Sequence, residues 1–278
     1  MKQRIFSMCI VCSFLFFACK NSSTALVASN GKEYVFGAQQ DFDSFMHNNI
    51  KSKKKLLLYV NGKGPEPLRS QISVIPYIEK HYDVEVCMFR WPSFGWIVGY
   101  PIKNAKNSSD ELQLCLQKMK GYLAQNKKSC SLFVHSMGNI VLQNFLKNYE
   151  NTLPDVLFDN VILNAADIHF ENHEQLLKKI NFAQRIYIPY SRCDRVLRLS
   201  QIFKNKGRLR LGQAGYTDNS PAIYVDFSEV TGIYHEYFRG PSPYKKLAIR
   251  HFFYEVFHGE EAATHHFKVL AENHYRLF

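Results

Sequence analysis

One serine in this chain stands where a nucleophile would have to stand. Ser136 lies in the run Ser131-Leu132-Phe133-Val134-His135-Ser136-Met137-Gly138-Asn139-Ile140-Val141. Leu132, Phe133 and Val134 read as a short buried strand. Beyond Gly138 the apolar residues Val141, Leu142, Phe145, Leu146 and Tyr149 recur at helical spacing. A serine on such a hinge has its hydroxyl lifted clear of the sheet, and the N–H of Met137, at the helix start, faces a developing oxyanion. Gly138, two positions on, lets helix and strand come close, whereas the glycine usual two positions earlier is Val134 here. The same pattern also suits an N-cap serine on a core helix. The elbow alone leaves both readings open.

A serine hydroxyl needs a base in hydrogen-bond reach, and an imidazole with its pKa of about 6.5 is suited to the task. His235 follows the last expected strand, in Thr231-Gly232-Ile233-Tyr234-His235-Glu236-Tyr237-Phe238. Asp194 ends the strand and loop that run from Ile186 to Cys193. A carboxylate there would orient the imidazole and stabilise the imidazolium that forms. Asp194 also fits an N-cap on a helix from Val196 to Phe203, and the two roles are compatible. Asp167, after Asn164-Ala165-Ala166, is the rival acid, one strand earlier than the preferred Asp194. His135 is expected to point away from the site, because neighbours at an elbow do not easily turn both side chains towards one substrate. His251, His258, His265, His266 and His274 crowd the C-terminus but form no His-Glu-x-x-His, and His173-Glu174 and His235-Glu236 miss it at Leu177 and Arg239. That spacing calls for no metal, and nothing else calls for a cofactor.

The elements that must hold these residues alternate. Leu56 to Val60 is a buried strand that breaks at the glycine-rich turn Asn61-Gly62-Lys63-Gly64, and Val84 to Trp91 is the next. Ile72, Ile75 and Ile78 give a helical face between them. Ser108-Ser109-Asp110-Glu111 reads as a capping box that opens a helix with the stripe Leu112, Cys115, Leu116, Met119 and Leu123. Strands follow around Val161–Leu163, Arg185–Ile188 and Ala222–Val225. Ile249, Phe252, Phe253, Val256 and Phe257 share one helical face near the C-terminus. The pattern implies an α/β fold, a mainly parallel sheet covered by helices on both faces. Ligands bind such sheets beyond the carboxyl ends of the strands, where Ser136, Asp194 and His235 fall.

Five segments, in order, carry a resemblance. They are Trp91-Pro92-Ser93; His135-Ser136-Met137-Gly138-Asn139; Asn164-Ala165-Ala166-Asp167-Ile168; Asp194 to Ser200 with Arg208 to Gly212; and Asp226-Phe227-Ser228 with His235-Glu236-Tyr237-Phe238. Over residues 56–240 the chain resembles the α/β-hydrolase superfamily, and within it the bacterial hydrolases of poorly defined function with Trp-Pro-Ser and His-Ser-Met-Gly-Asn motifs. The resemblance implies an α/β-hydrolase fold and assigns nucleophile, acid and base to Ser136, Asp194 and His235. Asn61 replaces the histidine that the family usually has before glycine at the oxyanion turn, so the backbone N–H of Lys63 is the expected partner of Met137 in an oxyanion hole. Tyr234 stands where the family tends to have glycine, and is expected with Trp91 to line an acyl pocket. The short interval between Val161–Leu163 and Arg185 leaves no room there for a large lid domain.

The N-terminus adds an address. Lys2 and Arg4 precede an apolar run from Ile5 to Ala18, shorter than the roughly 20 residues that span a bilayer. It ends in Leu15-Phe16-Phe17-Ala18-Cys19, similar to a bacterial lipobox. Residues 1–18 thus read as a lipoprotein signal peptide, Cys19 as the lipidated residue, 19–31 as a tether and 32–278 as the hydrolase domain. Ordinary secretion, with cleavage after Ala25 in Ser23-Thr24-Ala25, is the alternative. What remains, about 250 residues, suffices for one domain with a large core. The formal charge of +11 is dispersed; no nucleic-acid module accompanies it, so a membrane surface is the better partner. Cys87, Cys115, Cys130 and Cys193 remain in the mature chain and are expected mostly as free thiols. These features point to a cell-envelope serine hydrolase acting on an ester or other acyl bond of a small or lipid-like substrate. A non-catalytic binding lipoprotein and an acyltransferase with the same triad are the alternatives, and the sequence assigns no oligomeric state.

Overall fold

The computed structural model describes residues 23–51, 53–64, 72–94, 101–149, 152–153, 156–216, 220–239 and 246–278. The signal segment and Cys19 lie outside the described residues. The chain begins with β1 (Ala25–Ala28), β2 (Glu33–Val35), α1 (Phe42–Asn49), β3 (Leu56–Val60), α2 (Val74–Tyr82) and β4 (Glu85–Arg90). Next come α3 (Ile102–Asn107), α4 (Ser109–Asn126), β5 (Cys130–His135), α5 (Gly138–Asn148), β6 (Phe158–Asn164) and α6 (His173–Leu177). The last part holds β7 (Ala183–Tyr190), α7 (Arg195–Lys204), β8 (Ala222–Asp226), α8 (Ser228–Thr231), α9 (Leu247–Phe257), β9 (Phe267–Ala271) and β10 (His274–Leu277).

The strands form one sheet in the order β2-β1-β4-β3-β5-β6-β7-β8-β10-β9. From β4 to β10 every pairing is parallel, and antiparallel partners close the two edges. Alternate residues along each strand enter opposite faces. Leu56, Leu58 and Val60 of β3 pack with α1, α4 and α5, while Leu57 and Tyr59 pack with α2 and α9. Both faces are therefore covered, which is why the central strands are apolar throughout. The expected α/β architecture stands, and the helical stripes on α4, α5 and α9 are buried as their spacing requires.

Three local readings differ. Residues 25–28, assigned by sequence to the tether, are the fully buried β1, paired with β2 and β4. Any tether is therefore shorter than 19–31. The capping box does not form: α3 runs straight into α4, so Ser108 has near-helical backbone angles and its side chain caps nothing. Its hydroxyl instead meets that of Thr24 at 3.3 Å. After α9 the chain returns as the hairpin β9–β10, which joins the sheet beside β8. Its outer strand is too exposed to show an apolar pattern.

The topology makes a crevice. From β3 the chain passes to β4 on one side, and β5 lies on the other. The turns after β3 and β5 thus diverge at the carboxyl edge, the place where open parallel sheets accept ligands.

Candidate active site

Ser136 follows the last residue of β5 with a φ of +53°, in the left-handed region that a residue with a Cβ rarely adopts. Such backbone costs about 1–3 kcal/mol and persists only where the surroundings enforce it. Here they do. The Ser136 N–H donates to Asn164 O at 3.0 Å, and Ser136 O accepts the N–H groups of Asn139 (3.1 Å) and Asp167 (3.2 Å). The Asn139 side-chain amide donates to Ser136 O at 3.0 Å and to Val134 O at 3.2 Å, so this asparagine braces the elbow from inside α5. A Cβ on Gly138 would lie 2.7 Å from Asn61 O and 2.9 Å from Val60 O, both backbone atoms. Only glycine lets α5 start this close to the end of β3. Val134, in place of the usual earlier glycine, packs in the core.

The strand ends bring Ser136, His235 and Asp194 together. His235 Nε2 lies 2.8 Å from Ser136 Oγ, and its Nδ1 lies 2.7 Å from Asp194 Oδ2. Asp194 is fully buried, yet each carboxylate oxygen is occupied. Oδ1 accepts the Leu197 N–H at 3.0 Å, capping α7, and Oδ2 also accepts the Tyr237 hydroxyl at 2.8 Å. The cap and the partner of histidine are thus one residue. Burial would lower the His235 imidazole, but the charge and hydrogen bond of Asp194, helped by Asp167 and Glu236, outweigh it and hold the group above its usual 6.5. Asp167 is committed elsewhere. Its Oδ1 accepts Arg210 Nε and Ser200 Oγ, both at 2.7 Å, in a buried ion pair.

The turn after β3 covers the serine. A Cβ on Gly62 would stand 2.9 Å from Ser136 Cβ, so this glycine is forced by close approach. Asn61 shapes the turn from below: its amide donates to Gly62 O at 2.9 Å and to Ser93 Oγ at 3.1 Å. The Trp91 indole N–H donates to Asn61 O at 2.7 Å. Trp-Pro-Ser is therefore a buttress under the turn. Trp91 is fully buried and outside the cleft wall, contrary to the expectation that it lines an acyl pocket. Tyr234 is also absent from the described wall, and its side chain is exposed.

The cleft has a volume of about 370 Å³, and its wall includes Tyr59, Asn61, Lys63, Val196, Glu236 and Arg239. Lys63 is thus at the cleft, where burial and then Lys204 lower its ammonium from the usual lysine range. His135 does not point away, as expected from its place beside Ser136, but lies in the wall. The left-handed turn at Ser136 lets both side chains stay on this side of the sheet. The His135 ring lies 4.9 Å from that of His235 and 5.4 Å from that of Phe238. Its Nδ1 is 3.0 Å from the Asn164 amide nitrogen. Burial, then the neighbouring His235, push His135 well below 6.5, so it stays neutral.

Sequence reasoning missed Tyr237, Asn139 and the His135–Asn164 pair. The first two sit inside motifs already quoted, so their identity was visible but their contacts were not. Cys87, Cys115 and Cys130 are buried free thiols and Cys193 an exposed one. A comparison with curated proteins gave no match. Residues 38–235 match the family described as alpha/beta hydrolase of unknown function (DUF900), and the chain belongs to that family.

Proposed function

We propose that the protein is a cell-envelope serine hydrolase that cleaves an ester or other acyl bond through an acyl-enzyme. The observation that carries this is the His235 ring, within hydrogen-bond distance of Ser136 on one nitrogen and of buried Asp194 on the other. In the neutral imidazole Nδ1–H donates to Asp194, leaving Nε2 to accept the serine proton. Ser136 Oγ attacks the acyl carbon, and the oxyanion is held by the N–H groups of Met137, at the open start of α5, and Lys63, in the turn above the serine. The tetrahedral intermediate collapses, the alcohol leaves with the proton from His235, and water repeats the sequence to free the acid. Labelling by a fluorophosphonate probe tests the reading. Wild type should be labelled and should hydrolyse short acyl esters, whereas Ser136→Ala should lose label and about a million-fold in turnover. A folded Ser136→Ala that still turns over esters would end it, and an inert wild type would favour the binding-protein reading.

The surface beside the cleft supports a lipid-like or surface-presented substrate. On α7 the exposed apolar residues Val196, Leu199, Ile202 and Phe203 share one helical arc, and Phe203 is 72% exposed. Ile233 and Tyr234 add exposed apolar area on the histidine loop, which touches α7 where Arg195 N–H donates to Ile233 O. Arg195, Arg198, Lys206 and Arg208 are exposed cations of the same stretch. Apolar groups ringed by cations suit an anionic lipid surface. Lipidation at Cys19 would hold the domain there. Because β1 starts at Ala25, the intervening residues 20–24 reach at most about 17 Å. Cleavage after Ala25 would instead remove a strand residue paired with Arg90 and Val35, which favours the lipoprotein reading. Phe203→Asp should slow turnover of an ester carried in anionic vesicles and spare a soluble ester; equal effects on both would refute surface delivery.

A further inference from the structure

Spacing along the chain hides one cluster that the fold assembles. His251 lies in the middle of α9, and His265 and His266 lie in the helical turn that leads into β9. One ring nitrogen from each lies within 4.8 Å of the others, and His251 Nδ1 is 3.1 Å from His266 Nε2. Around a tetrahedral zinc, with Zn–N bonds of about 2.0–2.1 Å, neighbouring nitrogens lie about 3.3 Å apart. The tighter pair, here hydrogen-bonded, lies close to that separation, and an ion would take the place of the shared proton. The wider ones need a movement of about 1 to 1.5 Å, which His265 can supply because it is exposed.

The backbone around the cluster is fixed without any ion. The Glu255 carboxylate, one turn beyond His251, accepts the Ala263 N–H at 2.8 Å, and the Phe278 N–H donates to His266 O at 3.2 Å. These contacts tie the histidine turn to α9 on one side and to the chain's last residue on the other. We propose that His251, His265 and His266 form a binding site for one borderline divalent ion of the zinc type, which clips the β9–β10 hairpin to α9. Three imidazoles without thiolate or a carboxylate ligand suit zinc, nickel, cobalt or copper rather than magnesium or calcium. None of the three lines the cleft that holds Ser136. The ion would therefore act away from that cleft, with water in the one position that three imidazoles leave open on a tetrahedral ion.

Untagged full-length protein, stripped with a chelator, tests the site by equilibrium dialysis against Zn²⁺ and by titration with Co²⁺. One equivalent should bind at micromolar concentration and raise the melting temperature. His251→Ala and His266→Ala should each weaken binding at least ten-fold. His258→Ala should not, because His258, just beyond the end of α9, bonds Tyr254 O instead. Should the first two variants fail to fold, X-ray absorption of the zinc-loaded wild type decides: a shell of nitrogen and oxygen with imidazole scattering is expected. Sulfur in that shell would move the metal to a cysteine and overturn the proposal. So would no saturable binding, or undiminished binding in folded His251→Ala and His266→Ala.

Discussion

The two buried aspartates at neighbouring strand ends should respond to the same substitution in opposite ways. Asp194 accepts from Leu197 N–H, His235 Nδ1 and Tyr237 OH. In Asp194→Asn, the new oxygen can keep the α7 cap, since asparagine caps as well as aspartate. The new amide then occupies the former Oδ2 position and donates towards His235 Nδ1. That fixes the proton on Nε2, so the imidazole cannot accept from Ser136. Turnover should fall about 10⁴-fold, equivalent to about 5.5 kcal/mol in the barrier, with a small change in stability. Asp167→Asn removes the charge that faces Arg210, which is 3% exposed. Removing one partner of a buried ion pair costs up to roughly 3–5 kcal/mol of stability, while turnover of the folded fraction should stay within about ten-fold. Hydrolysis of a short p-nitrophenyl ester gives the first quantity and urea unfolding the second. If Asp167→Asn is the kinetically crippled variant while Asp194→Asn turns over normally, both being folded, the acid has been assigned to the wrong strand.

Tyr237→Phe removes a hydrogen bond to a buried carboxylate and should cost about 1.5–3 kcal/mol in urea unfolding. With one donor fewer, Asp194 becomes a stronger acceptor for His235, so the acid limb of the pH–rate profile should move upward; no movement in either measurement refutes that coupling. For the wild type, kcat/KM should fall with acid through an apparent pKa above 6.5, because His235 must be neutral to act and its pKa is raised. The sign for stability is opposite: the charged His235–Asp194 pair stabilises fully below the unfolded value of about 6.5, and the gain is lost as pH rises through the folded value. A rate limb below 6.5, or a melting temperature whose pH dependence is the same in His235→Gln, would count against it. The mature protein should partition with membranes and carry lipid on Cys19; recovery of soluble wild type beginning at Ser23 or later would reject the anchor.

The parts of the site legible in the sequence are those set by local pattern. Strand, glycine and helix spacing located Ser136, and chain order at successive strand ends located Asp194 and His235. What stayed illegible depends on contacts between distant segments. Nothing in Trp91-Pro92-Ser93 says that its indole props Asn61 or that its serine holds the same side chain, because that requires knowing that β4 lies beside β3. Reading Trp91 as pocket lining followed from its aromatic character alone. Ser108 failed as a cap for a related reason: the motif was present, but α3 supplied the turn before α4. β1 was missed because a four-residue apolar run just beyond the polar stretch Lys20 to Thr24 was counted into the tether.

Hydrogen bonds among Ser136, His235 and Asp194 do not by themselves separate an enzyme from a binding protein, because a polar trio can also be a satisfied part of a core. The backbone of Ser136 bears on the difference. A serine cap needs only extended backbone before its helix, whereas this one is held at φ +53°. The constraint comes from Asn164 O, the Asp167 N–H and the Asn139 amide, drawn from β6, the loop beyond it and α5. Relaxation of residue 136 to an ordinary conformation would break those hydrogen bonds, and no side-chain cap on α5 would be gained from the present arrangement. It would also move Oγ, now 2.8 Å from His235 Nε2 and against the turn that carries Gly62 and Lys63. A left-handed serine that aims its hydroxyl at an imidazole is what a nucleophile elbow needs and a plain helix cap does not, which supports the proposal that Ser136 is the nucleophile.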